Sequence, residues 1–118
     1  AKARVSYAKL LTIAKGELAA EALYYEAYFK NKDGKYEDSN KTVQRLAKDY
    51  SGYKYFGAKG LIVMAKNYYQ LKDNFSATSI LDSVIKNFAS YDDIVAEAQT
   101  ELDIIKGEAA KTNSSIDE

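Results

Sequence analysis

The apolar positions of this chain recur with the period of a helix. From Tyr53 onward they fall at Tyr53, Gly57, Gly60, Leu61, Met64, Tyr68 and Leu71, in steps of three and four. Ala77, Leu81, Val84, Ile85 and Phe88 form the next stripe, and Ile94, Ala98, Leu102 and Ile105 the one after. Upstream, Leu18, Ala22, Leu23 and Ala27 make one stripe, and Tyr36, Ser39, Val43, Leu46, Ala47 and Tyr50 another. Strict alternation is sustained nowhere, so the pattern predicts an all-α protein. Asn31-Lys32-Asp33-Gly34 closes one helix, with Gly34 suited to the left-handed conformation. Ser51-Gly52 and Ala89-Ser90 mark later breaks, Asp73 or Asn74 can cap the helix that follows, and Gly16 is read as a further break. The predicted helices are 3–14, 17–31, 35–49, 53–71, 74–88 and 91–110, about six in all, followed by a frayed polar tail at 112–118.

Short turns between helices make neighbours antiparallel, which suits a bundle or a row of helix pairs. Repetition separates the two. A shift of 38 places Leu23 on Leu61, Ala27 on Ala65, Val43 on Leu81, Leu46 on Val84, Tyr50 on Phe88 and Tyr53 on Tyr91. Tyr36 meets Phe75 only at 39, which predicts one register adjustment in the turn. Residues 1–111 therefore read as one domain, with helix-pair units at about 17–52 and 53–90 and flanking helices 3–14 and 91–110. Ala27, Ser39, Ala65 and Ala77 supply the small side chains that let helices approach closely, and Gly57 and Gly60 read as further close-packing positions.

Composition narrows the chemistry. In 118 residues there is no Pro, in keeping with helix nearly throughout, and no Cys or His. The missing Cys and His remove most nucleophile–base pairs and the usual zinc and haem ligands. The longest apolar run, Leu61 to Ala65, is far below the ~20 residues that span a bilayer, so no transmembrane segment is expected. An opening Ala1 fits a processed or excised chain. The 17 basic and 17 acidic groups are segregated: residues 30–72 hold ten basic and four acidic, a net of +6, whereas 73–118 hold three and ten, a net of −7. Such asymmetry is compatible with self-association as well as with solvated helix faces.

In its second unit, FGAKGLIVMAKNYYQLKDNFSATSILDSVIKNFASY, the chain resembles the tetratricopeptide repeat family. Leu61, Ala65, Tyr68, Ala77 and Leu81 stand where that family expects a large residue, a small one, Tyr, Ala and a large apolar residue. The first unit matches through Leu23, Ala27, Ser39 and Val43 but has Lys30 at the Tyr position, and Ser51 and Ala89 replace the usual closing proline. The 38-residue period exceeds the family's ~34 by about one helical turn and is similar to the long units of bacterial envelope-assembly members. The resemblance implies a short right-handed helical-repeat solenoid, a concave groove on the first helices of its units, a protein or peptide partner, and a periplasmic or envelope setting.

Carboxylates are the main catalytic groups left. Glu97 and Glu101, like Glu17 and Glu21, lie one helical turn apart, but a di-metal bundle site also needs Glu-x-x-His. They read as solvated faces, with Glu97, Glu101 and Asp103 covering the end of the array. No catalytic residue, metal ligand or cofactor-binding residue is assigned, and no enzymatic activity is expected. Tyrosine stands out, at 11 of 118. By the repeat register Tyr25 and Tyr68 are core residues, while Tyr24, Tyr28 and Tyr69 point to the groove beside Lys59, Ile62 and Lys66. Tyr24, Tyr28, Lys59, Ile62, Lys66 and Tyr69 are thus the expected partner-binding groove, presented by a non-enzymatic scaffold to a protein or peptide. The basic 30–72 block favours an acidic peptide. The alternative is an accessory domain that contacts single-stranded nucleic acid through residues 30–72, less favoured because the whole chain is neutral with few arginines.

Overall fold

The structure is a computed structural model; it describes the backbone of residues 2–117 and the side chains of residues 15–111. Five α-helices follow in order: α1 Lys2–Lys32, α2 Tyr36–Asp49, α3 Lys54–Gln70, α4 Asn74–Asn87 and α5 Asp92–Asp117. No strand occurs among the described residues.

There is one helix fewer than the pattern predicts, because 3–14 and 17–31 are a single helix. Glycine weakens a helix by ~1 kcal/mol but forces no break. Gly16 stays helical, and the missing side chain makes room for Tyr53, since a Cβ there would collide with the Tyr53 hydroxyl. The apolar residues of the stretch predicted as the first helix, Val5, Leu10, Leu11 and Ile13, lie outside the residues whose side chains are described. The expected tail at 112–118 instead continues α5 as far as Asp117, and Glu118 lies outside the described residues.

The 38-residue period is built into the backbone. α2 and α4 begin 38 apart, as do α3 and α5, and α1 and α3 end 38 apart. Each turn hydrogen bond of the first unit has a counterpart at that offset. The amide of Gly34 donates to Asn31 and that of Lys35 to Lys30, while Lys72 donates to Tyr69 and Asp73 to Tyr68, at 3.1 and 2.8 Å in both turns. Gly34 (φ 79°) and Lys72 (φ 69°) both adopt the left-handed conformation that closes the helix. The expected slip at Phe75 is therefore absent: Phe75 is equivalent to Glu37 and is 82% exposed, so its aromatic character carried no register information. Asp73 caps α4, accepting from the Ser76 amide at 3.1 Å and its hydroxyl at 2.7 Å.

Consecutive helices pack on each other, and α3 also packs against both α1 and α5; among the described residues α1 and α5 do not pack together, nor do α2 and α4. The molecule measures 75 × 29 × 18 Å along its principal axes. Two apolar clusters fill it. Ala20, Leu23, Tyr24, Ala27, Val43, Leu46, Val63 and Met64 join α1, α2 and α3. Ala58, Ile62, Ala65, Ala77, Leu81, Val84, Ile94, Ala98, Leu102 and Ile105 join α3, α4 and α5. Gly60 is a true close approach, since a Cβ there would lie 3.0 Å from Leu46 Cδ2; Gly57 is not, its Cβ position being open. The first interface also holds a buried polar knot. Asn67 accepts from Asn31 and donates to Ser39 and Asn40, each at 2.8 Å, and Ser39 donates to the Ala27 carbonyl at 2.7 Å.

Candidate functional site: the cleft between α1 and α5

Short connections make α1, α3 and α5 run the same way, and α3 alone touches both of the others. α1 and α5 are therefore the walls of a cleft whose floor is α3. Helical spacing decides what lines it. Tyr55, Lys59 and Lys66 stand at intervals of four and seven on α3, and Asp93, Glu97 and Glu101 at intervals of four on α5.

At one end Tyr24, Tyr55 and Lys59 meet. The Lys59 ammonium lies 5.1 Å from the centre of the Tyr24 ring and 5.6 Å from that of Tyr55. Tyr55 donates its hydroxyl to Asp93 Oδ2 at 2.5 Å and sets its ring edge-on to Tyr91. That bond raises the Tyr55 phenol above its ordinary pKa and lowers Asp93 below the usual carboxylate range. Burial, followed by the nearby Glu97 charge, pushes the Tyr24 phenol up to about 12. Midway, Lys66 faces Glu101 at 3.5 Å and Glu97 at 4.0 Å. At the other end the cleft opens into a cavity of about 300 Å³, whose lining includes Asn31 and Lys32 of α1, Tyr69 and Gln70 of α3, and Ile104 of α5. The Lys32 ammonium also sits 5.2 Å from the centre of the Tyr28 ring.

Of the six residues expected in the groove, Lys59, Lys66 and Tyr69 follow one another along this floor, with Tyr28 half-buried on α1 beside Tyr24. Ile62 does not reach the cleft surface: about 60° round the helix from Lys59, it has no exposed surface and packs in the α3–α4–α5 core. The Tyr24-Tyr25 pair is reversed. Tyr24 is 7% exposed beneath Lys59 and against Phe56, whereas Tyr25, expected in the core, is 48% exposed. Two neighbouring aromatics differ by 100° around a helix, so a small error in the predicted helix phase exchanges them. Lys30, at the Tyr position of the first unit, bonds Thr42 at 2.9 Å and Glu26 at 3.3 Å.

Asp93, Glu97 and Glu101 were missed as lining residues; Glu97 and Glu101 had read as an end face. Glu97 and Glu101 are half-buried and paired. The offset of 38 that maps Tyr55 on Asp93 and Lys59 on Glu97 was the available signal. They also change the electrostatics: the +6 of residues 30–72 does not make this cleft positive, because Lys32, Lys59 and Lys66 are matched along it by three carboxylates. No group of three or more acidic side chains is gathered to hold a metal ion among the described residues. No helix of the described residues is long and apolar enough to cross a membrane.

No family model, curated protein or solved structure matches this chain. What the cleft can do rests on its geometry. It offers ring faces, paired charges at fixed spacing and a recess at one end.

Proposed function

We propose that this chain is a short tetratricopeptide-like helical-repeat module, a non-enzymatic scaffold that binds a protein segment in the cleft between α1 and α5. The observation that carries the reading is the arrangement of the first helices: α3 touches α1 and α5, while those two stand apart and leave a tyrosine-lined channel. The constant 38-residue offset of helix ends and turn bonds supports a right-handed solenoid of helix pairs. Each unit buries its apolar face only against the next, so the floor is held rigidly by two cores. A preformed floor lowers the entropy lost on binding. Tyrosine supplies amphipathic contact area with few rotatable bonds.

A random peptide library selected on the folded chain, with the hits mapped by amide chemical-shift changes, tests the reading. Shifts concentrated on α1, α3 and α5 around Tyr28, Lys66 and Tyr69 are expected, and Tyr69→Ala is expected to weaken binding while leaving the fold intact. Shifts confined to the outer faces of α2 and α4, or selection of single-stranded oligonucleotides over peptides, would refute it.

A further inference from the structure

Lys59 differs from the other cleft lysine in how its charge is held. Lys66 pairs with two carboxylates, whereas among the described residues Lys59 has no ion-pair partner and rests on two tyrosine rings. Those rings come from different helices, Tyr24 from α1 and Tyr55 from α3. Tyr55 is oriented by its hydroxyl bond to Asp93, and Tyr24 by contacts with Tyr25, Tyr28 and Phe56. The pair of ring faces, with Asp93 and Glu97 behind it on α5, is a seat for a cation that the chain itself fills. Aromatic faces attract ammonium and guanidinium groups, and nearby carboxylates add to the attraction.

We propose that this seat receives a Lys or Arg side chain of a basic partner segment, which displaces Lys59 from between Tyr24 and Tyr55. The inference rests on the cleft being the binding surface and gives its partner a sign opposite to the one expected from the 30–72 charge block. Charge balance agrees with it. Around the seat Asp93, Glu97 and Glu101 outnumber Lys59 and Lys66, with Lys32 lying at the far end of the cleft, so a cation entering the seat meets a locally negative lining. Lys59 is held by the two rings and by the field of Asp93 rather than by an ion pair, and its long stem gives it room to move aside.

The test uses acetyl-tetralysine amide as the probe, with acetyl-tetraglutamate amide and tetramethylammonium chloride as companions, titrated into the full chain by calorimetry and followed on the tyrosine ring resonances. Lys59→Met keeps a stem over Tyr24 but removes the competing charge, and it is expected to tighten tetralysine about tenfold. Tyr55→Leu added to Lys59→Met is expected to cancel that gain, with circular dichroism showing that the helices remain. A smaller gain for tetramethylammonium marks recognition of the bare cation, and no gain marks dependence on the peptide; both support the seat provided tetralysine tightens. Unchanged tetralysine affinity in Lys59→Met, or an equal gain for tetraglutamate, overturns the proposal. If a library peptide still binds along α1, α3 and α5 in that case, the seat fails and the cleft reading stands; if nothing binds there, both fail.

Discussion

Replacing Asn67 by Ala tests the logic of the first interface most sharply. Asn67 has no exposed surface, and its amide makes three hydrogen bonds that join α1, α2 and α3. A typical buried hydrogen bond contributes ~0.5–1.5 kcal/mol net, so three give roughly 2–4 kcal/mol. The groups left behind reduce this. Asn31 is half-buried and can turn toward water, and Ser39 keeps its bond to the Ala27 carbonyl, whereas Asn40, at 7% exposed, has little access to a replacement. The expected loss is therefore about 2–3 kcal/mol. With a urea slope of roughly 1.5–2 kcal/mol/M, the unfolding midpoint falls by about 1–2 M. The assay is urea denaturation followed by far-ultraviolet circular dichroism. A second variant separates polarity from packing. At the equivalent positions of the second interface stand Ala77 and Ile105, both buried. Ser39→Ala with Asn67→Ile copies that apolar pair and is expected to recover at least half of the loss, because exchanging both partners of a buried bond for apolar groups is nearly neutral. A midpoint for Asn67→Ala within ~0.3 M of the wild type would refute the network as a source of stability, on the same slope. A double variant no better than the single one would refute the equivalence of the two interfaces.

Lys72→Gly is expected to stabilise by ~0.5–1 kcal/mol and Gly34→Ala to destabilise by at least ~1 kcal/mol, since both sites have positive φ; thermal melts of the two variants check it. Ala65→Leu is expected to overpack the fully buried crossing of α3 on α4 at a cost of ~1–3 kcal/mol, whereas Lys66→Ala, which breaks two part-exposed ion pairs, should cost less than ~1 kcal/mol; equal urea midpoints would refute the assigned inward face. Tyr24 is expected to titrate near pH 12, well above the ordinary phenol value of 10.0, in absorbance at 295 nm. The folded chain then holds that proton while the unfolded chain releases it, so the contribution to stability is complete below about pH 10 and is lost as pH rises through about 12. Tyr24→Phe should remove the Tyr24 titration and its share of this pH dependence, leaving Tyr55 as a phenol raised above its ordinary value.

The helical period and the small residues at the crossings were legible because burial acts on them directly. Ala27, Ala65 and Ala77 are all fully buried where the 38-residue shift places them. Gly16 was misread because its role depends on Tyr53, 37 residues away, and a local rule cannot see a side chain arriving from another helix. Phe75 misled for the opposite reason: an aromatic suggests burial, yet this one stands on the open surface at the start of α4. The cleft was half legible. Positions on one helix follow from its period, so Lys59, Lys66 and Tyr69 lie together as read. Which faces of different helices oppose one another depends on how the pairs settle, and this brought Asp93, Glu97 and Glu101 opposite lysines that composition alone assigned to a positive patch.

A backbone repeat becomes a site only where its equivalent positions carry different side chains. The turns and helix ends of this chain repeat at a constant offset of 38, so each residue of α3 has a geometrical twin on α5. Where both twins are apolar or small, as at Gly60 and Ala98, repetition yields a core. Where they differ in charge or polarity, adjacent helices face each other with complementary groups. Tyr55 and Asp93 are twins and share a hydrogen bond; Lys59 and Glu97 are twins, and both charges lie beside Tyr24. The same substitution within a frame separates the two interfaces, for Ser39 and Asn67 at the first are replaced by Ala77 and Ile105 at the second. Buried hydrogen bonds add to the apolar cluster that holds α1 and α2 on α3. α5 is held on α3 by apolar contacts below and by the Tyr55–Asp93 bond and the Lys66 ion pairs at the cleft surface. The Tyr24 wall and the α3 floor are thereby joined by buried polar contacts, and the acidic wall of α5 is joined to the same floor by surface ones, so the charged groups that distinguish the twins are also the ones that set the two walls in place.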